Sequence, residues 1–214
     1  MSKQYEKIQT SQEIINSTLK IWVALGARLS LTGGVFDIQH YMHYEYLEHI
    51  SETAEKSILL VSTDERVKQS KGKNTILSWE QRAKQLSHLP YIDLIIPKES
   101  SVNNLNMFMT YQPNTFYYST TSGINEFNEL QEKILPEYPH YINNGRITLQ
   151  NLNGTLLTLY FFDANMNEFL CKNGDIAEFL DKMREQSKLY NTNKWEDPNN
   201  ISGSIIKKKI KESI

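Results

Sequence analysis

Apolar and polar positions along the chain fall into two textures. Up to about residue 139, stretches with helical spacing alternate with short apolar runs, the pattern of a parallel sheet covered by helices. Ile14, Ile15, Leu19, Trp22 and Val23 recur at helical spacing behind Ser11, which can cap, and Gly26 stops the run, predicting a helix over 11–25. Ala27, Leu29 and Leu31 alternate with Arg28 and Ser30 as in a short strand. Residues 44–56 are helical in pattern, and 57–62 (S-I-L-L-V-S) form the unbroken apolar run of a strand buried on both faces. Thr63 or Asp64 caps a short helix ending near Ser70, followed by a polar loop of Lys71, Gly72, Lys73 and Asn74. Ser78 with Gln81 matches a capping box for a helix to about Leu89, stopped by Pro90. Residues 91–96 are the next strand, closed by Pro97. A further strand is expected around 115–118 and a helix over 125–135, so the parallel core is expected to end between Pro113 and Pro139.

The last third is different. Runs at 146–150 and 155–162 are rich in strand formers around Asn153-Gly154, a hairpin signal, and Asp175 can cap an amphipathic helix through Met183 or beyond. From Tyr190 to Ser204 the chain is rich in Asn, Pro and Ser. Ile205, Ile206, Ile210 and Ile214 around Lys207 to Lys209 then make a short basic amphipathic end, read as a docking helix or frayed tail before a membrane anchor. The expected division is a Rossmann-like α/β domain over 1–139, a hairpin-and-helix extension over 140–189 and a flexible basic tail over 190–214.

One segment carries candidate chemistry. In 31–43, L-T-G-G-V-F-D-I-Q-H-Y-M-H, a glycine pair ends the predicted strand and two histidines stand three residues apart where a helix should begin. Gly33 and Gly34 are expected to let the chain turn and expose backbone N–H groups. If the helix starts near His40, then His40 and His43 share one face of its first turn, where unpaired N–H groups and the positive helix end favour an anion.

Composition adds bounds. The 214 residues, 39% hydrophobic and 11% aromatic, are enough for a proper core despite a mean hydropathy of -0.52. A formal net charge of -2 gives no electrostatic reason to expect nucleic-acid binding. The single cysteine, Cys171, rules out an internal disulfide framework and fits a reducing compartment. Residues 1–18 are polar and no stretch has the roughly 20 apolar residues of a membrane span, so the expectation is a cytoplasmic protein with no membrane span. His49, His88, His140 and Cys171 carry no surrounding pattern and are read as structural.

The stretch G-G-V-F-D-I-Q-H-Y-M-H resembles the G-x-F-D-x-x-H-x-G-H signature of the cytidylyltransferase-like nucleotidylyltransferases. S-T-D-E-R-V at 62–67, Lys71-Gly72, and S-W-E-Q-R at 78–82 ahead of Tyr91-Ile92-Asp93 follow in the expected order. The lead-in over 19–36 is similar to heptose 1-phosphate adenylyltransferases, and S-T-D-E to glycerol-3-phosphate cytidylyltransferases. The resemblance covers roughly residues 11–120, and two departures accompany it. Met42 stands where the family has glycine between the histidines. The later R-T-x-G-I-S-T-T stretch, which opens a helix in the family, has its one recognised look-alike in Tyr118 to Ile124, early in the order of elements and without the arginine; the loop after the fourth strand is the other reading of that segment.

The resemblance implies transfer of a nucleotidyl group from ATP or CTP to a sugar phosphate or polyol phosphate, with release of pyrophosphate, in the making of glycan precursors. It implies Mg²⁺ carried with the triphosphate through phosphate oxygens and water, and a homodimer. His40 and His43 are the expected phosphate donors, and Lys71, on a mobile loop, closes over the phosphates. Thr32, Gly33, Gly34, Phe36, Ser119, Thr120 and Thr121 are the expected nucleotide contacts, with Phe36 read as core before contact and Gly34 as a contact or only a turn residue. Arg82 contacts phosphate, or holds its helix through a salt bridge with Glu80 or Asp93. Asp37 contacts substrate or caps the helix, and Asp64 likewise contacts substrate or caps. The aromatic runs (Tyr41, Tyr44, Tyr46; Phe116, Tyr117, Tyr118; Tyr160, Phe161, Phe162) supply core or interface, with core expected for most. The alternative function is a non-catalytic nucleotide-binding or assembly module that keeps the fold, with the last third as its partner surface.

Overall fold

The computed structural model describes residues 3–101, 103–121, 124–150, 154–163, 165–193 and 212. The fold is Rossmann-like, a parallel-dominated α/β arrangement with a hairpin and helix towards the C-terminus. The backbone groups into two compact units, Met1–Val102 with Ile201–Ile214, and Asn103–Asn200. The basic end at 205–210 and 214 lies outside the described residues.

In the first unit three parallel strands stand in the order β3-β2-β1: β1 is Leu29–Gly34, β2 Lys56–Ser62 and β3 Leu94–Lys98. Between them run α2 (Tyr41–Ser51), α3 (Asp64–Lys71) and α4 (Trp79–Ser87), with α1 (Gln12–Ala24) ahead of β1. β2 is buried on both faces, as its unbroken apolar run requires. Leu59 and Val61, two apart and so on one face, pack with Phe36, Leu47, Ala83, Leu86 and Ile95. Burying each such side chain contributes roughly 1.5–3 kcal/mol.

Several expectations are corrected here. β1 does not alternate, because Leu29, Ser30, Leu31 and Thr32 are all buried; Ser30 avoids a desolvation cost by hydrogen-bonding the Ser57 hydroxyl at 3.2 Å. Ser11 occupies the N-cap of α1 without a side-chain cap bond, and Ile14 and Val23 are exposed. Thr63, not Asp64, caps α3, accepting from the Arg66 N–H at 3.3 Å, and α3 includes Lys71 before Gly72 closes it at φ +64°. The Ser78/Gln81 capping box is formed in both directions. Pro97 lies inside β3, opposite Val61. This edge position tolerates a missing donor, and on the same strand the Gln9 N–H bonds the Ile95 carbonyl at 2.9 Å.

The second unit contains α5 (Asn104–Tyr111), which the sequence reading did not anticipate, then β4 (Thr115–Ser119) and α6 (Ile124–Glu129), which runs into a π-helical turn, Leu130–Ile134. β5 (His140–Asn143), β6 (Arg146–Gln150) and β7 (Leu156–Phe162) form an antiparallel meander, with the two-residue β8 (Glu168–Phe169) against β7. β7 is parallel to β4, so parallel pairing continues past Pro139. Asp175 caps α7 (Ile176–Asn193) by accepting from the Glu178 N–H at 3.0 Å, and the helix continues through Tyr190. Phe116, Tyr118 and Phe161 of β4 and β7 meet Phe108, Phe127 and Phe179 of the helices ring to ring, so these aromatics are core. Tyr41 and Tyr44 are exposed.

Asn144 and Gly145, at φ +49° and +76°, make the tight turn between β5 and β6. A Cβ on Gly145 would sit 3.0 Å from the Leu170 Cβ. Gly145→Ala is therefore expected to destabilise the chain by about 1–2 kcal/mol, read as a lower urea midpoint at unchanged slope. An unchanged midpoint would show that the turn does not need glycine.

Candidate functional site

The motif does not turn at its glycines. Gly33 and Gly34 are the last residues of β1 and keep negative φ; what they supply is space. A Cβ on Gly33 would lie 3.3 Å from the Leu60 carbonyl oxygen, and one on Gly34 only 2.6 Å from the Phe36 ring. The turn is made by Phe36 itself, at φ +52°. A bulky residue seldom holds that conformation unless its surroundings impose it.

The surroundings here are the sequence-predicted carboxylates and arginine, which bond to backbone and to one another as follows. Asp37 does not cap α2. It is buried, and its carboxylate accepts from the Ile76 N–H at 2.9 and 3.0 Å and the Leu77 N–H at 2.9 Å, tying the turn to the segment before α4. Arg82 is fully buried and its partner is neither Glu80 nor Asp93. Its guanidinium donates to the carbonyls of Val35 (2.5 Å) and Leu77 (3.2 Å) and to the Asp64 carboxylate (2.6 Å). With 0% of its side chain exposed, Arg82 joins β1, α3 and α4 from inside. Asp93 is held by Lys56 at 2.7 Å. Asp64 also accepts from Thr75 Oγ1 (3.0 Å) and the Trp79 N–H (3.1 Å). Desolvation pushes its pKa upward, but the bonds from Trp79, Arg82 and Thr75 with the Arg82 charge outweigh it and hold the carboxyl below its ordinary value.

The imidazoles are brought together as expected. His40 is the N-cap of α2 and His43 its third residue, with ring centroids 4.0 Å apart. The His40 N–H donates to His43 Nδ1 at 3.4 Å, and the His43 N–H to the His40 carbonyl at 2.9 Å. Because Nδ1 of His43 accepts, the neutral ring carries its proton on Nε2. His40 Nδ1 is buried with no hydrogen-bond partner among the described residues. Burial lowers both imidazole pKa values; that of His43 falls to about 4, first by desolvation and then by the neighbouring His40. The pair is a pair of neutral donors at pH 7, not a cation.

The other predicted residues belong to several elements. The Thr32 hydroxyl is buried against the Tyr46 hydroxyl at 2.7 Å. Lys71 is on the exposed last turn of α3 rather than on a loop. Met42, between the histidines, is half-buried in the first turn of α2. In the second unit, Ser119 ends β4 and Thr120 and Thr121 begin the loop after it. Ser119 Oγ accepts from the Thr121 N–H at 3.1 Å, and buried Thr120 bonds the Phe162 carbonyl at 2.8 Å. Ser122 and Gly123 lie outside the described residues. A shallow cleft of about 890 Å³ runs along the turn before α2, between Ile38, Gln39, Ile76, Leu77 and Lys84. Among the described residues no group of three or more His, Cys, Asp or Glu side chains is spaced to hold a metal ion, and no helix is long and apolar enough to cross a membrane.

The chain matches the profile of the cytidylyltransferase-like family over residues 31–209. It belongs to that family. It is similar to the bifunctional protein HldE of Vibrio cholerae serotype O1, 34% identical over 88 residues, which are 41% of this chain and 18% of that one. The FAD synthase of Pyrococcus abyssi is 34% identical over 83 residues, covering 39% and 56%. The glycerol-3-phosphate cytidylyltransferase of Staphylococcus aureus is 38% identical over 69 residues, covering 32% and 52%. The matches thus span less than two thirds of each relative. Among solved structures, a lipopolysaccharide core biosynthesis protein from Thermoplasma volcanium matches at a TM-score of 0.45 and 25% identity, over 51% of this chain and 87% of that one.

The family match runs to residue 209, beyond the stretch that the sequence resemblance covers. It extends past the second unit into the closing segment, where Ile201-Ser202-Gly203-Ser204 precedes Ile205-Ile206. That run shares its isoleucine, first serine and closing hydroxyl with the I-S-T-T pattern, with Gly203 in place of the first threonine. It lies outside the described residues.

The depressed imidazoles have a pH consequence. Between pH 6.5 and about 4 the unfolded chain takes up a proton at residue 43 that the folded chain refuses. This share of stability is complete above pH 6.5 and drains away as pH falls towards 4. Urea titrations at pH 7 and pH 5 should show a larger loss in the natural chain than in His43→Gln; equal losses would contradict the buried neutral imidazole.

Proposed function

We propose that this chain transfers a nucleotidyl group from ATP or CTP to a sugar phosphate or polyol phosphate and releases pyrophosphate. The observation that carries the reading is the pair of neutral imidazoles at the amino end of α2, in a member of the cytidylyltransferase-like family. An oxygen of the acceptor phosphate attacks the α-phosphorus; that bond forms as the α–β bridging bond breaks, and pyrophosphate leaves with the electron pair. The acceptor is already a nucleophile, so the protein needs mainly to hold two anions in line and stabilise the charge moving onto the leaving group.

Nε2 of His43, fixed as a donor by the bond at Nδ1, serves that charge without deprotonation, and His40 beside it donates to a neighbouring phosphate oxygen. Lys71 brings the formal positive charge that the neutral imidazoles lack. In this reading Asp37, Asp64 and Arg82 act as scaffold: Asp37 accepts from backbone N–H groups, and Arg82 donates to backbone carbonyls and to Asp64. We place the late hydroxyl contacts at Ser202 and Ser204 in preference to residues 119–121. Mg²⁺ fits as part of the nucleotide, held by phosphate oxygens and water, with no protein cage asked of the chain. Glycan precursor synthesis, a homodimer and a cytoplasmic setting complete the proposal.

A non-catalytic nucleotide-binding or assembly module is the second reading, favoured by Met42 in place of the family glycine. Pyrophosphate release from ATP and CTP with a panel of sugar and polyol phosphates separates the two. The transferase reading expects turnover that falls at least about 100-fold in His43→Ala with the fold retained. It also expects a smaller fall in Lys71→Ala without loss of stability. Thermal stabilisation by nucleotide with no turnover across the panel would favour the binding module.

A further inference from the structure

Four groups lie one upon the next at the start of the motif. The Phe36 ring folds back over Gly34, filling the space in which a Cβ would stand 2.6 Å away. Its edge meets the His43 imidazole at 5.4 Å between centroids and 64° between planes. His43 in turn rests on His40 at 4.0 Å and 33°. Phe36 is only 5% exposed and is shared with the core of Leu47, Leu59 and Val61.

The backbone on both sides of Phe36 is pinned. The Val35 carbonyl takes a bond from buried Arg82, and the Asp37 carboxylate takes bonds from the Ile76 and Leu77 N–H groups. These bonds hold a phenylalanine at φ +52°, a conformation that a bulky side chain seldom adopts. Core packing alone does not require it, since an extended residue can also bury a ring.

We propose that Phe36 is a positioning residue for His43: its ring, turned back over Gly34, fixes the plane of the imidazole so that Nδ1 stays on the His40 N–H and Nε2–H faces outward as a donor. The orientation stands on geometry alone; that the donor serves a polyphosphate rests on the nucleotidyl-transfer reading. Gly34 belongs to the same device, because any side chain there displaces the ring.

Imidazole nitrogen NMR of the full chain, without nucleotide, tests the orientation. At pH 7 the His43 signals should report the proton on Nε2, with titration only near pH 4. A proton on Nδ1 in the natural chain overturns the proposal before any variant is made. Phe36→Leu keeps an apolar side chain but loses the flat ring. It should give mixed tautomers, a titration midpoint raised by about one unit or more, and a kcat lowered about 10-fold with nucleotide KM changed less than about two-fold. A folded Phe36→Leu with unchanged tautomer and midpoint also overturns the proposal. If that variant does not fold, Gly34→Ala, which displaces the ring and leaves the phenylalanine in place, must show the same NMR changes, and its failure to do so counts equally against the proposal. Should the NMR changes appear while neither the natural chain nor the variants release pyrophosphate, the positioning role holds and the transferase reading falls.

Discussion

A buried guanidinium organises the first unit. Arg82 spends its donors on two backbone carbonyls and one carboxylate drawn from three parts of the chain, and no part of its side chain reaches solvent. A charge in that position is costly unless every donor is matched. Its partners therefore cannot drift apart without leaving it unpaired. The turn after β1, the entry to α3 and the segment before α4 are held in one arrangement, and the Asp37 carboxylate adds a second tie between the first and third. The left-handed Phe36 and the imidazoles beyond it depend on that arrangement.

Neutrality of the imidazoles follows from where the clamp puts them. Two half-buried rings 4.0 Å apart, with an aromatic ring against His43, disfavour positive charge on either. In the proposed function an anion is recognised here by oriented dipoles, the ring N–H groups and the first-turn amides of α2, with formal charge left to Lys71. A dipole site has the advantage that it needs no proton transfer as charge moves along a polyphosphate.

Local chemistry was readable where it is set by neighbours in sequence. The Ser78/Gln81 box, the Asp175 cap, the apolar run of β2 and the spacing of His40 and His43 all rely on residues within a few positions of one another. What was misread depends on contacts between distant segments. Nothing in S-W-E-Q-R says that its arginine is buried on Asp64, eighteen residues earlier. Asp37 looked like a cap because it precedes a helix, yet its partners are at 76 and 77. Phe36 gave no sign of positive φ, since glycine or asparagine is the residue type that announces it. β7 looked like half of a hairpin and is also a parallel partner of β4. Asn144-Gly145 carries the same turn signal as Asn153-Gly154, and the turn it makes joins β5 to β6.

The account depends on the imidazole pair gripping a polyphosphate, and a structure of the chain with a non-hydrolysable triphosphate addresses that most directly. The expected result is phosphate oxygens within about 3.2 Å of Nε2 on both His40 and His43, with the Met42 side chain turned aside. Phosphates bound elsewhere, or a Met42 thioether lying between the rings and the triphosphate, would contradict it.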